Sequence, residues 1–530
     1  MRRKQARAAS RQTPAKAVFG LIFASLWLLH LPLLGLPYFW DEAGYFIPAA
    51  RDILLTGDLI PHTTLSNAHP PLVMLWLALC WKLVAYTPVV TRTAMLLVAA
   101  FGFTALWLLA RRVANAPVAT ATVILTALSP VVYSQSAMAQ LDIAAFTLIL
   151  WMLYAYLCER HWLALCFAAL AAVAKETAVA VTLTLMAADL LCWIAGRWRP
   201  LTAARWELPR RTFLQCTSWL LALLPLAGWY AYHFHRTGHV FGNPDYLRYN
   251  VGATVTPLRI GLSFLLRLWH VAGYMNMFVL TGAVLVLLWG ARGQSQAEGR
   301  SQPMQPRVRL LLAAVVLAQV VEFSVVGGAL LARYMVAAIP LVILLAVDVL
   351  RRYAPGWSWW VGGCAATFVA ALFFNPPWFI SPEDNLTWVH FVQMHQQAAH
   401  YVERHYSDQR ILTAWSASDE LNRPFLGYTT RPLTVVRIEN FSAVEILHAA
   451  QQPESFDAVV AFSTKFEPSR AFFERLPGAT AIMTRYYDFH QDLPAAATAR
   501  ILHGRIVWQA SSPGEWIAVI EIDKVRMAKR

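Results

Sequence analysis

The sequence predicts a mainly α-helical protein that crosses a membrane many times and carries a soluble α/β domain in its carboxyl-terminal part. Three observations lead to this prediction. The chain is 58% hydrophobic and only 14% charged, which is too apolar for a soluble globular protein. Apolar runs long enough to span a bilayer recur between residues 18 and 374. After Asn375-Pro376-Pro377 the composition changes sharply, and short apolar runs alternate with helical stretches.

The apolar runs predict a helical bundle of about eleven membrane spans. These are residues 18–37, 89–110, 117–132, 141–158, 162–174, 178–195, 213–232, 271–289, 310–326, 334–350 and 357–374. The basic residues between them then lie on the same side as the basic tail, residues 1–17, which the positive-inside rule places in the cytoplasm. The formal net charge of +14 comes largely from these loops, so it predicts contact with anionic membrane lipid and no nucleic-acid partner.

The apolar run at residues 69–86 leaves two topologies open. If it spans the membrane, Arg111 and Arg112 lie outside. If it is a re-entrant or interfacial helix, both arginines lie inside. We adopt the second topology because it satisfies the positive-inside rule. The segment 38–88 is then an external loop that carries juxtamembrane helices.

The remaining residues, 376–530, are predicted to form an external α/β domain. Residues 388–406 have helical periodicity, and short apolar runs predict strands at 410–413, 433–436, 458–461 and 516–520.

Polar side chains at the external ends of the spans are the candidates for function. They are Asp41, Glu42, His69, Arg92, Asp142, Lys175, Glu176, Arg333 and Tyr334. Each has a structural explanation by itself: the acids can cap a helix, and a lysine can anchor a span at the interface. Together, on one side of the membrane, they predict a polar cavity suited to chemistry on lipid-linked substrates.

Such a cavity could perform glycosyl transfer. One carboxylate is needed to take the proton of an acceptor hydroxyl, and cations are needed to stabilise a departing phosphate. Asp41 and Asp142 could supply the carboxylate, and Arg333 and Lys175 the cations, because both side chains bind phosphate.

Short motifs occur in a fixed order along the chain. They are Asp41-Glu42 after the first span, His69-Pro70-Pro71-Leu72, Leu141-Asp142, Ala174-Lys175-Glu176, and Ala332-Arg333-Tyr334 with Pro340 further on. With this ordered set, residues 18–375 resemble the GT-C fold family of integral-membrane glycosyltransferases. That family includes protein O-mannosyltransferases and the aminoarabinose transferases that modify lipid A.

The resemblance implies an inverting hexosyl- or pentosyltransferase that depends on a polyprenyl-phosphate sugar. Its acceptor would be a lipid, a glycan or a protein at the outer face of a bacterial-type cytoplasmic (inner) membrane. It implies catalytic roles for Asp41, Glu42 and Asp142, donor-phosphate binding by Lys175, Arg333, Tyr334 and Arg92, and substrate binding by His69 and Tyr45. No defined cofactor is predicted; a divalent metal, if one assists, would be held by Asp41 and Asp142.

Two other classes of protein, a transporter and a sensor, are alternatives to the enzyme. A transporter or flippase usually places ionisable groups near the midplane, often in repeated halves. Here the charges cluster at span ends and no halves repeat, although Glu322 lies inside an apolar run. A sensor with an external ligand-binding domain would need a cytoplasmic output domain, and the sequence shows no such segment.

Overall fold

A computed structural model describes residues 14–197, 212–247, 255–290, 304–468, 476–487 and 489–523. Its membrane part is helical, as predicted. The helices there are Ala15–Leu29, Ile47–Thr56, Leu72–Leu83, Pro88–Val113, Ala116–Leu128, Pro130–Ala137, Leu141–Leu157, His161–Ala174, Val179–Arg197, Phe213–Ser218, Leu224–Thr237, Pro244–Leu247, Pro257–Ala272, Met277–Gly290, Pro306–Val325, Ile339–Tyr353 and Trp357–Phe373.

Helix length and composition identify the segments that can cross a membrane. Among the described residues, five helical segments are long and apolar enough: Pro88–Val113, Glu176–Ala195, Phe213–Thr237, Pro257–Gly290 and Pro306–Val325. A sixth results if Ala116–Leu128 and Pro130–Ala137, which meet at 73°, act as one broken span. Five further apolar helices have 10–17 residues. The chain is therefore a multi-pass membrane protein.

The helix Leu72–Leu83 lies in the stretch for which two topologies were open. It has 12 residues and is about 18 Å long at the usual helical rise. A bilayer core about 30 Å thick is wider than this, so the length favours the interfacial or re-entrant alternative.

Pro88–Val113, the longest unbroken helix among the described residues, is the most buried of the five candidate spans. It begins with Thr87, whose side chain accepts a hydrogen bond from the backbone N–H of Val90, and proline occupies its first turn. Gly102 lets the helix Leu141–Leu157 approach closely, because an added Cβ would lie 2.4 Å from Thr147 Oγ1. Small residues permit such contacts between helices in membranes.

The carboxyl-terminal domain contains a five-stranded mixed sheet with the order β2-β1-β3-β5-β4. The strands are β1 (Arg410–Ala414), β2 (Thr434–Ile438), β3 (Ala458–Phe462), β4 (Gly504–Ser512) and β5 (Glu515–Ile522). β1 pairs in parallel with β2 and β3, and β5 is antiparallel to β3 and β4. Its helices are Thr387–His405, Ala417–Asn422, Ala443–Ala449, Ala479–Tyr486 and Ala495–Ile501.

This domain packs against residues 38–88 of the membrane part. The hydroxyl of Tyr428 donates to the carbonyl of Tyr38 at 3.0 Å. In the opposite direction, the hydroxyl of Tyr86 donates to the carbonyl of Phe425 at 3.0 Å. The rings of Trp40 and Trp415 meet edge to face, with centroids 5.0 Å apart. Hydrogen bonds and ring packing therefore join the carboxyl-terminal domain to the membrane part.

Candidate active site

A cavity of about 3060 Å³ lies between the membrane part and the carboxyl-terminal domain. Of the sequence-predicted residues it brings together Asp41, Tyr45, His69, Asp142, Lys175, Glu176, Arg333 and Tyr334, all of which line its wall. Glu42 and Arg92 are not among the lining residues.

Arg333 lies at the centre of a group of charged and polar side chains beside the cavity. Its guanidinium donates hydrogen bonds to Asp41 and to Gln140, and also to Glu383 Oε2 at 3.1 Å. Asp142 Oδ2 lies 3.8 Å from its Nε. Arg333 is 5% exposed, whereas the side chain of Asp41 is 27% exposed. Asp41 is therefore the carboxylate of this group that a bound molecule can reach most readily.

Lys175 forms the second cationic centre. Its Nζ donates to Asp142 Oδ1 at 2.5 Å and lies 4.6 Å from the centroid of the Tyr334 ring. The same ring lies 5.7 Å from the guanidinium carbon of Arg333. Tyr334 thus presents its negative face to both cations, which partly compensates their charge.

Asp142 and Lys175 lie at helix ends, where their charges are stabilised. Asp142 is in the first turn of Leu141–Leu157, and Lys175 directly follows His161–Ala174. An acid at a helix N-terminus and a cation at a C-terminus both interact favourably with the helix dipole. Asp41 precedes a π-helical turn, Glu42–Phe46, a rare geometry that is frequent at functional sites.

Glu42 and Arg92 form a separate ion pair in the protein interior. Arg92 donates from Nη1 to Glu42 Oε1 at 2.6 Å and from Nη2 to Oε2 at 3.0 Å. The backbone N–H groups of Phe39 and Ala139 also donate to this carboxylate, and both charged side chains are 0% exposed. The pair fastens the turn before Asp41 to the helix Pro88–Val113.

His69 and Tyr45 belong to a second polar group on the cavity wall. His69 Nδ1 lies 3.4 Å from Glu176 Oε1, and its Nε2 lies 3.3 Å from the Tyr246 hydroxyl. The Tyr45 hydroxyl accepts from the backbone N–H of Asn67 at 3.4 Å. Burial raises the pKa of Tyr45 to about 12, so its hydroxyl stays protonated at neutral pH.

Sequence reasoning missed four residues around Arg333 and its neighbours. Tyr274 and Asp384 line the cavity, whereas Gln140 and Glu383 are not among the lining residues and accept hydrogen bonds from Arg333. Gln140 donates to Glu383 at 3.2 Å, and the Tyr274 hydroxyl donates to Asp384 at 2.6 Å. Burial raises the pKa of both Glu383 and Asp384 to about 7. One signal was present in the sequence: two adjacent acids, close behind the last apolar run, repeat the arrangement of Asp41 and Glu42.

Asp41 and Asp142 were the predicted ligands of a divalent metal. Each of them is bonded to a cation, Asp41 to Arg333 and Asp142 to Lys175. Among the described residues, no group of three or more histidine, cysteine, aspartate or glutamate side chains could hold a metal ion. The metal stays a prediction from sequence.

The helical bundle, the small carboxyl-terminal domain and the charged cavity between them define a membrane protein with the GT-C fold. The chain is similar to ArnT from Cupriavidus metallidurans in crystal structures with bound undecaprenyl phosphate and in the apo state. The TM-scores are 0.54 and 0.51 at 14% and 15% identity. These alignments cover 94% and 96% of this chain and 97% and 98% of ArnT.

A weaker similarity links the chain to the oligosaccharyltransferase of Archaeoglobus fulgidus. The TM-score is 0.44 at 11% identity over 84% of this chain and 68% of that one. No protein-family model and no curated protein sequence matches the chain. At these identities the likeness to ArnT establishes the fold.

Proposed function

We propose that this protein is a membrane glycosyltransferase that moves a sugar from a polyprenyl-phosphate donor to an acceptor hydroxyl. The observation that carries the proposal is the pairing of Asp41 with Arg333 at the cavity wall, beside the Lys175–Asp142 pair. The likeness to ArnT with bound undecaprenyl phosphate adds support, because a polyprenyl phosphate fits two cations at a membrane surface.

In the proposed reaction the acceptor oxygen attacks the anomeric carbon of the sugar. The bond from that carbon to the phosphate oxygen breaks, and the acceptor proton passes to Asp41. Arg333 and Lys175 stabilise the charge that grows on the departing polyprenyl phosphate. One displacement inverts the anomeric configuration, and either a hexose or a pentose can react in this way. Asp142 holds Lys175 at 2.5 Å, while His69 and Tyr45 contact the substrates.

For Glu42 and Arg92 we propose a positioning role. Both are fully buried and paired with each other, so they act on the substrates only through the turn that carries Asp41. The acceptor is a lipid, a glycan or a protein.

We further propose the orientation that the basic loops predict, with about eleven spans in a cytoplasmic membrane of bacterial type. The tail, residues 1–17, lies in the cytoplasm, and the domain of residues 376–530 lies outside, facing the periplasm. The cavity then opens on the external side.

The alternative function, transport of a lipid-linked or small polar substrate, rests on Glu322. This residue lines the cavity from inside the helix Pro306–Val325. Its Oε2 is buried without a hydrogen-bond partner among the described residues. Asp41, Asp142, Lys175 and Arg333 instead lie at or beside helix ends, away from the midplane position that transporters favour.

The test is sugar transfer in proteoliposomes with radiolabelled polyprenyl-phosphate hexoses and pentoses, with membrane lipid extract as acceptor. We expect the wild-type protein to consume one donor, and Asp41→Asn to lower the rate by about 10²–10⁴-fold, the usual contribution of a general base. Asp58→Asn is the matched control, because Asp58 also binds an arginine, Arg236, but lies outside the cavity lining. Movement of intact donor between leaflets without cleavage would instead identify a transporter.

A further inference from the structure

The carboxyl ends of all three parallel strands of the external domain lie at the cavity. Trp415 directly follows β1, Glu439 directly follows β2, and Thr464 lies two residues beyond β3; all three line the cavity wall. In open α/β sheets, ligands bind in the crevice outside the carboxyl ends of the strands. The orientation of the sheet therefore presents its usual binding edge to the space that contains Asp41.

Two charged side chains at this edge form no direct bond among the described residues, although Arg437 acts electrostatically on Asp419. Arg437, near the end of β2, and Glu439 are exposed and line the cavity. Their side chains make none of the hydrogen bonds or ion pairs found among the described residues. The end of β3 differs: Thr464 donates to Asp492 at 2.7 Å, and Lys465 donates to the carbonyl of His490.

The strand register brings Trp415 beside Glu439 at this edge. Thr413 pairs with Arg437 and Ala414 with Ile438, so Trp415 and Glu439 each directly follow the last paired residue of two adjacent strands. The indole of Trp415 also reaches the turn that carries Asp41, because an added Cβ on Gly44 would lie 2.6 Å from the ring. The strand edge and the reaction centre are thus parts of one continuous wall.

The chemistry of this edge suits hydroxyl groups better than an anion. Arg437 only donates hydrogen bonds and Glu439, when ionised, only accepts them, whereas a sugar hydroxyl does both. Their charges are opposite, and Asp419 and Arg423, which also line the cavity, form a second opposite pair at 3.4 Å. An indole such as that of Trp415 offers a large apolar face for the C–H side of a sugar ring. The cavity, at about 3060 Å³, also exceeds the roughly 300–1,000 Å³ of an ordinary ligand pocket, which leaves room for a second large substrate.

We propose that the carboxyl edge of β1 and β2 binds the neutral, hydroxyl-rich part of the acceptor, a glycan, and so directs its reacting hydroxyl to Asp41. The inference rests on the proposed function and narrows its acceptor to a glycan or a glycan-bearing molecule. Arg437, Glu439 and Trp415 are the residues that recognise it.

The test measures binding to the full chain in nanodiscs by saturation-transfer NMR. The probe is a bacterial cell-envelope glycan, freed of lipid by mild acid and of phosphate by alkaline phosphatase; a second fraction, not treated with phosphatase, keeps its phosphate. We expect the dephosphorylated glycan to bind the wild type as well as the untreated one does. Binding should weaken at least tenfold in the double variant Arg437→Ala, Glu439→Gln.

Arg505→Ala is the matched control, because Arg505 is an exposed arginine of the same sheet outside the cavity lining. It should bind the glycan like the wild type. Absence of glycan binding, binding that requires the phosphate, or unchanged binding in the double variant would each overturn the inference.

A parallel titration with undecaprenyl phosphate separates this inference from the proposed function. We expect its Kd to stay within twofold in the double variant. If undecaprenyl phosphate does not bind the wild type at all, it is the proposed donor that fails, whatever the glycan does.

Discussion

Asp41 and Glu42 are adjacent in the sequence, yet their carboxylates bind different arginines. Asp41 accepts from Arg333 at the cavity wall, and Glu42 is held by Arg92 in the interior. The side chain of Asp41 is 27% exposed and that of Glu42 is 0% exposed. The two acids therefore differ in what their removal should do.

Glu42→Gln should destabilise the protein. Removing one charge of a fully buried pair leaves Arg92 uncompensated, which costs about 3–5 kcal/mol. Asp41→Asn should change the thermal unfolding midpoint of the purified protein in detergent far less, because Asp41 reaches solvent. Equal midpoints for the two variants would contradict the positioning role that we propose for Glu42.

Arg333→Lys should weaken donor binding while the fold is kept. Lysine preserves the positive charge among Asp41, Asp142 and Glu383 but lacks the fork that binds two oxygens together. Loss of one charged hydrogen bond, about 1.5–3 kcal/mol, predicts a Kd for undecaprenyl phosphate that rises about tenfold to a hundredfold. Arg236→Lys, in an exposed pair with Asp58, should bind as the wild type does. An unchanged Kd in Arg333→Lys would remove Arg333 from the phosphate site.

Gly44→Ala should strain the contact between the two parts of the chain. The new methyl group would lie 2.6 Å from the indole of Trp415, and overpacking of this kind costs about 1–3 kcal/mol. Trp415→Phe removes the crowding atoms, so the cost of Gly44→Ala should be smaller in that background. Gly35→Ala is the control, since its added Cβ meets nothing within 4 Å. Unfolding midpoints of the four variants measure the coupling, and additive costs would show that the contact is looser than the structure has it.

Glu515 should make the stability of the carboxyl-terminal domain depend on pH. Both of its carboxylate oxygens are buried with no hydrogen-bond partner among the described residues, and burial raises its pKa to about 8. In the unfolded chain a glutamate titrates near pH 4.3. Between these two values the folded state keeps a proton that the unfolded state releases. The free energy of unfolding therefore falls as the pH rises, and the loss is complete once the pH has passed about 8.

Glu515→Gln should accordingly flatten the fall of the unfolding midpoint between pH 5 and pH 8.5, measured on the full chain. Glu521→Gln, a more exposed acid of the same strand that pairs with Arg505, should keep the slope of the wild type. If the unfolding midpoint of Glu515→Gln falls with pH as steeply as that of the wild type, the titrating group is a different residue.

The sequence predicted the helical membrane part and most of the sheet because both depend on local patterns. The strand predicted at residues 458–461 corresponds to β3 (Ala458–Phe462). β4 (Gly504–Ser512) was missed although it contains Ile506, Val507 and Trp508. These residues form a single run of three, without the alternation of apolar and polar residues that marks a half-buried strand.

The candidate site was predictable where charge alone marks a residue at a span end. Asp142, Lys175 and Arg333 stand out in apolar surroundings, and the structure brings them to one wall. The partners of Arg333 were harder to find, since Gln140 carries no charge and Glu383 arrives from a loop far along the chain. Which of the two acids, Asp41 or Glu42, faces the cavity depends on the conformation of the π-helical turn. No pattern in the sequence indicates that turn.

The order of strands in the sheet also bears on how the protein is made. β5 lies between β3 and β4, so the last described strand completes the interior of the sheet. Until residues 515–522 have been synthesised, the edge of β3 that pairs with β5 stays open, a state that invites pairing with other chains. The sheet therefore closes only after β5 has been added, and a nascent chain arrested before Glu515 exposes an aggregation-prone strand edge.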